Sequence, residues 1–253
     1  MSIRVHRHGG VVDVVIDRPE KRNAMTDAMW AQLETILADI DPTRDRVLVL
    51  SGSGGAFCGG SDVGGFLEDP EGLRERIEVS NRCILGVHEL DFPVIAKVDG
   101  IAAGSGANLA LASDFVIASS RARFAQLFIR IGLSVDSGAS WLLPRLVGER
   151  RARELALLGD DVMADEALAF GLVTRVVPKA QLDDEVAGLA ARLCDLAPEG
   201  LAGTKRLLAR TWQRGLAEAL DAEADNQCEV ISSDAAQRAI RAFTERRRSD
   251  PST

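Results

Sequence analysis

The chain has 253 residues, 46% of them hydrophobic, and a formal net charge of -8; it is long enough to bury one sizeable core and has the wrong sign for sequence-independent attraction to nucleic acid. No long apolar run appears, and the opening MSIRVHRHGG has no basic stretch followed by an apolar one, so neither a membrane span nor a signal peptide is expected and the protein is placed in the cytoplasm. Cys58, Cys83, Cys194 and Cys228 form no C-x-x-C pair, which argues against a zinc knuckle or redox dithiol and marks them as reduced core residues.

IRVHRH and VVDVVID alternate or run apolar around Gly9-Gly10, a hairpin signature. From Thr26, a fair N-cap, Trp30, Leu33, Leu37 and Ile40 fall at helical spacing. RVLVLSG at 46–52 reads as a buried strand running into a glycine-rich stretch, Gly52 to Gly65, the first place to look for function. Asp69-Pro70 is expected to open a helix with Leu73, Ile77, Ile84 and Val87 on one face, followed by the strand VIAKVDG. Gly104-Ser105-Gly106 leads into the short apolar helix ANLALA, then come a strand at 115–119, a helix over 137–147 and a last strand at 172–177. Beyond Leu182 only helical patterns occur, which predicts an α/β core over 1–198 and a helical region over 199–253.

Familiar catalytic signatures are missing. The third glycine of G-x-G-x-x-G is replaced by Phe57, and no phosphate loop, H-E-x-x-H or G-x-S-x-G is present. The only histidines, His6, His8 and His88, read as surface or rim groups, which leaves a Ser-His-Asp hydrolase as the weaker alternative. Two glycine-rich turns remain, AFCGGSD (56–62) and IAAGSGAN (101–108), each following a strand. Such turns can leave backbone N–H groups unpaired, and two of these converging on one oxygen make an oxyanion hole; equally, the glycines can serve tight turns and close packing alone.

Taken together, four ordered blocks resemble the crotonase (enoyl-CoA hydratase/isomerase) superfamily: Arg18 to Ala24, AFCGGSDV, the segment 93–119, and FGLVTRVVP at 170–178. The resemblance implies an α/β spiral of ββα units with a C-terminal helical region that packs in homotrimers, often paired as hexamers. It implies an acyl-CoA thioester as substrate and no cofactor beyond the CoA within it. Matched position by position, the backbone N–H groups of Ser61 and Ser105 would hold the thioester oxygen. Lys21, Arg22, Ala24 and Asp62 would contact the adenine and 3'-phosphate, and Phe243 with Arg246 or Arg247 would close over a neighbouring subunit's CoA.

The departures from that pattern matter most. Hydratases of the family carry glutamates at the positions matching Asn108 and Phe128, and an amide and a phenyl ring cannot activate water or donate a proton. Phe128 is expected instead to wall the acyl pocket, while Asn108 either bonds substrate or caps its turn. Asp136 resembles the aspartate kept by members that lack the second glutamate, including some enoyl-CoA isomerases, and would shuttle a proton along the acyl chain. It also precedes a predicted helix, where an Asp N-cap is ordinary, so both roles stay open. The expected activity is double-bond isomerisation, with 2-enoyl-CoA hydration or acyl-CoA binding without turnover as alternatives.

Overall fold

The computed structural model describes residues 2–66, 69 and 71–249, the side chains of 246–249 excepted. β1 (Ser2–His8) and β2 (Val11–Asp17) form the expected hairpin, and Gly9 and Gly10 at its turn adopt φ of 55° and 84°, the left-handed pair that a two-residue turn requires. Thr26 caps α1 (Asp27–Ala38) by accepting from the Met29 N–H at 3.2 Å. β3 (Val47–Gly52) runs parallel to β2, and its continuous apolar sequence follows from burial on both faces. Leu48 and Leu50 join Trp30 and Leu33 of α1 in the main core, while Val47 and Val49 turn to the opposite face.

α2 is Leu73–Glu89, with Gly72 at its N-cap and no side-chain cap. The expected start at Asp69-Pro70 is therefore too early. The Asp69 carboxylate instead accepts from the Gly72 N–H at 3.0 Å, and Pro70 lies outside the described residues. β4 (Val94–Val98), β5 (Ile101–Ala103), α3 (Ser105–Leu111), β6 (Phe115–Ser119) and β7 (Arg123–Ala125) follow in close succession. α4 (Ala139–Leu158) outruns the helix expected over 137–147, and Gly148 inside it has φ 75° and ψ 158°, so two helical pieces meet there at a kink. β8 (Val162–Met163), α5 (Ala164–Phe170) and β9 (Arg175–Val177) complete the sheets, the last strand being shorter than 172–177.

One sheet has the order β1-β2-β3-β4-β6-β9 and is parallel throughout except for the hairpin; the second has the order β5-β7-β8. Successive units place one strand in the large sheet and the next in the small one. An isolated parallel bridge between Cys58 and Ala102 extends this pattern to the glycine-rich stretch after β3. The large sheet is covered on one face by α1, α2 and α3, and on the other by α6 (Leu182–Cys194), whose Leu182, Val186, Leu189 and Leu193 meet Val47, Val49, Ile95 and Ile117.

α7 (Pro198–Ala209), α8 (Leu216–Ile231) and α9 (Asp234–Ser249) make up the C-terminal helices. Lys205 ties α7 back to the sheet, donating to the Asp114 carboxylate at 2.7 Å and to the Phe92 carbonyl at 3.2 Å. Asp99 is buried in an ionic cluster. Burial alone would raise its pKa, but hydrogen bonds from Arg121 and Ser119 with the charges of Lys179 and Arg121 hold it at about 2. Among the cysteines, only Cys58 and Cys83 are core residues, because Cys194 is half-buried and Cys228 faces solvent on α8. No helix among the described residues is long and apolar enough to cross a membrane.

Candidate active site

The two glycine-rich turns meet. Cys58 N–H donates to the Ile101 carbonyl at 3.1 Å and Ala103 N–H to the Cys58 carbonyl at 2.9 Å, which zips the first turn against β5. The turns end at Ser61 and Ser105, whose hydroxyl oxygens lie 2.9 Å apart. Gly60 and Gly104, just before those serines, have φ of 101° and 53°, conformations that a side chain would strain. Space is short as well, since a Cβ on Gly60 would stand 3.0 Å from the Ala103 carbonyl oxygen.

Neither the Ser61 nor the Ser105 backbone N–H donates to an acceptor among the described residues, and Ser105 opens α3, where first-turn donors have no intrahelical partner. Two unspent donors on adjoining turns are the kind of arrangement that can hold a single oxygen atom. Trp30, fully buried on α1, donates through Nε1 to Ser61 Oγ at 3.0 Å and so fixes the first turn from below. Cys58 within that turn is no nucleophile, because burial pushes its thiol up to about 12.

The first loop is held by residues that sequence reasoning passed over. Asn23, fully buried, accepts from the Arg18 N–H at 2.8 Å and donates to the carbonyls of Ser53 and Ala56 at 2.9 and 2.7 Å. This staples the loop around Lys21 and Arg22 to the glycine-rich stretch, and both of those basic residues are exposed. Arg18 donates to the Ala24 carbonyl at 2.9 Å and to the Asp62 carboxylate at 2.7 Å. Asp62, expected at the adenine, is thus already engaged; the bond from Arg18, with one from the Gly64 N–H, lowers its pKa. Phe243 lies on α9, far along the chain, with its ring largely exposed, and the Arg246 and Arg247 side chains lie outside the described residues.

Asn108, Phe128 and Asp136 gather beside the second turn. The Phe128 ring packs over Gly104, where a Cβ would stand 3.6 Å from its Cζ. Asn108 caps nothing: its Nδ2 donates to the Asp136 carbonyl at 3.1 Å and its Oδ1 accepts from Gln126 Nε2 at 2.9 Å. The helix-cap reading of Asp136 fails, because α4 starts at Ala139 behind Gly138, in the left-handed region, with no side-chain cap. The Asp136 carboxylate accepts only from Ser137 Oγ, at 2.7 Å, and has no ion-pair partner among the described residues. Burial therefore raises its pKa, opposed only by that one hydrogen bond. Ser137 itself is buried at φ 50°, so the segment is bent sharply between Asp136 and α4.

This geometry agrees with what the chain is similar to. The family profile described as Enoyl-CoA hydratase/isomerase matches residues 6–251. The chain belongs to that family, within the crotonase superfamily. Among its relatives, the 1,2-epoxyphenylacetyl-CoA isomerase of Escherichia coli is 37% identical over 230 residues, 88% of this chain and 87% of its own. A crystal structure of an enoyl-CoA hydratase from Polaromonas sp. JS666 superimposes with a TM-score of 0.92 at 31% identity, covering 97% of this chain and 98% of the other. A Thermobifida fusca YX structure in complex with CoA does so with a TM-score of 0.86 at 30% identity, covering 91% and 93%. The family's relatives thus include both isomerases and hydratases, and this acyl-CoA enzyme carries the crotonase fold.

Proposed function

We propose that the protein shifts a carbon-carbon double bond in an enoyl-CoA thioester, with Asp136 as the proton shuttle. The observation that carries this reading is the state of the Asp136 carboxylate, which is partly buried, caps no helix and, among the described residues, has no counter-ion and is bonded only by Ser137. A carboxylate so placed is more basic than an ordinary one and can take a proton from carbon.

In the proposed reaction the Asp136 carboxylate removes a proton from C2 of a 3-enoyl-CoA. The electron pair passes into the thioester, giving a dienolate whose oxygen is held by the N–H groups of Ser61 and Ser105. Asp136 then returns the proton to C4, the double bond moves to C2–C3, and the carboxylate is restored. Phe128 forms an apolar wall beside the acyl group. No metal or redox group enters, and CoA takes part only as the substrate's handle. Exposed Lys21 and Arg22, with Ala24 and the Arg18-held Asp62, would meet the adenine and 3'-phosphate; Phe243 and Arg246 would reach a neighbouring subunit's CoA.

Hydration is the poorer reading because Asn108 and Phe128 stand where a hydratase of this family has its glutamates. Relatives of similar identity are named isomerase and hydratase alike, so the preference rests on these residues. The test is incubation with 3-enoyl-CoAs of several chain lengths while following the absorbance of the conjugated thioester. A rise above the blank is expected. Hydration of 2-enoyl-CoA without isomerisation would overturn the proposal in favour of a hydratase, and tight acyl-CoA binding without any turnover would overturn it in favour of a binding role.

A further inference from the structure

The carbonyl oxygen of Asp136 can only accept hydrogen bonds, and that restriction fixes the sense of a buried amide chain behind the site. Asn108 must offer Nδ2 to it, at 3.1 Å, so its Oδ1 faces away. Gln126 meets that oxygen at 2.9 Å and must therefore offer Nε2. Two amides whose oxygen and nitrogen ends are interchangeable in shape are oriented by one main-chain group. Both are interior residues, Asn108 at 0% and Gln126 at 4% exposure.

Gln126 is a costly residue in this place. Its Oε1 has no hydrogen-bond partner among the described residues, and Gln126 lines a small, mostly apolar cavity with Leu111, Phe124, Leu143, Leu155 and Asp160. An apolar side chain of the same length would suit such surroundings better. Among the described residues, the one hydrogen bond of its side chain is that to Asn108.

The position of Gln126 in the chain gives that bond a use. It directly follows β7, and the last residue of β7, Ala125, accepts from the Gly104 N–H at 2.9 Å. The end of one strand therefore holds the second glycine-rich turn through its backbone and the Asp136 segment through Gln126 and Asn108. We propose that Gln126 is a positioning residue that, acting through Asn108, sets the place of the Asp136 carboxylate relative to the Ser61 and Ser105 N–H groups. This rests on the reading of Asp136 as the base. The bend at Ser137 supplies the need, because a segment with a non-glycine residue at φ 50° keeps its shape only when its surroundings hold it.

The experiment follows exchange of carbon-bound protons of trans-3-hexenoyl-CoA with D2O, and its isomerisation, from acid to alkaline pH, for the wild type, Asp136→Asn, Gln126→Met, Gln126→Glu and the double variant Asp136→Asn/Gln126→Met. Gln126→Met should lower kcat by roughly tenfold or more with little change in KM or melting temperature. It should cost the Asp136→Asn background nothing further, since Gln126 acts only through Asp136. Gln126→Glu keeps the size and, when protonated, the donor; once ionised it repels Asn108 Oδ1, and an Asn108 flipped to meet it turns that oxygen on the Asp136 carbonyl. Its activity should therefore gain a falling limb with rising pH that the wild type lacks, and this arm decides the matter if the methionine variant does not fold. Gln126 variants with wild-type rates and pH profiles, or an additive loss in the double variant, would overturn the positioning role while an inactive Asp136→Asn leaves the base intact. Wild-type exchange in Asp136→Asn would overturn the base reading itself, and this proposal with it.

Discussion

Ser61 and Ser105 stand 44 positions apart in the sequence, yet their hydroxyl oxygens are 2.9 Å apart. The contact locks the two turns together at the residues whose backbone N–H groups are unspent. Ser61→Ala and Ser105→Ala leave those N–H groups in place, so turnover should fall by no more than roughly tenfold, in keeping with a hydrogen bond worth about 1 kcal/mol. Gly104→Ala, by contrast, should abolish turnover, because it strains the turn at φ 53° and ψ -129°. A loss above a hundredfold in either serine variant would make the hydroxyls, rather than the backbone, the working donors.

Asp136→Asn separates chemistry from stability. As a general base, Asp136 should cost about a hundredfold or more in kcat when replaced. The sign of the stability effect is opposite. Burial raises the Asp136 pKa, so the folded protein holds this proton more tightly than the unfolded chain does. As pH climbs through the ordinary carboxylate range to the raised value, the folded state gains a desolvated charge and loses stability. At neutral pH the asparagine variant escapes that penalty, and its melting temperature should equal or exceed the wild type's. In wild-type protein kcat should rise with pH through the raised pKa. A lower melting temperature with unchanged kcat would assign Asp136 to structure.

Asn108→Glu, alone or with Phe128→Glu, recreates the hydratase residue types, but the surroundings oppose it. Asn108 is fully buried and donates to the Asp136 carbonyl, and an ionised carboxylate has no proton to give there. The expected result is destabilisation of about 3–5 kcal/mol, the scale of an uncompensated buried charge, and no hydration of 2-enoyl-CoA. Chemical denaturation checks the first and a hydration assay the second; stable, hydrating double variants would contradict both.

The C-terminal helices expose an unusual amount of apolar surface. Trp212 and Leu216 are 71% and 78% exposed, and Leu208, Leu220 and Phe243 also reach solvent. Such a face on a single chain implies burial against something else, and we propose other copies of the chain, as trimers or hexamers. Sedimentation should show assemblies at micromolar concentration, and Trp212→Glu with Leu216→Glu should shift them towards monomer. A stable wild-type monomer would contradict the assembly.

What was legible in the sequence was local. The hairpin at Gly9-Gly10 and the Thr26 cap are each encoded within a few residues, and both stand as expected. The start of α2 was misplaced because Asp69 bonds the Gly72 N–H in a preceding turn rather than capping the helix itself. Asp136 was ambiguous because an aspartate ahead of a helix looks the same whether or not it caps, and only the left-handed Gly138 shifts the helix start away from it. Asn23 and Gln126 were missed for a plainer reason. Asn23 donates to carbonyls 30 and 33 positions away and Gln126 to a side chain 18 away, so no local pattern marks those bonds.

The unspent donors at Ser61 and Ser105 belong to the main chain, and this has a consequence for how such a protein can change over generations. No side-chain replacement at either serine deletes an N–H group, with proline the exception. Only changes at the flanking glycines or in the surrounding scaffold can move those groups. Asn108, Phe128, Gln126 and Asp136 are under no such protection, because a substitution at any of them replaces the group itself. Drift in a lineage of this kind would alter where protons go while leaving the grip on the thioester oxygen in place.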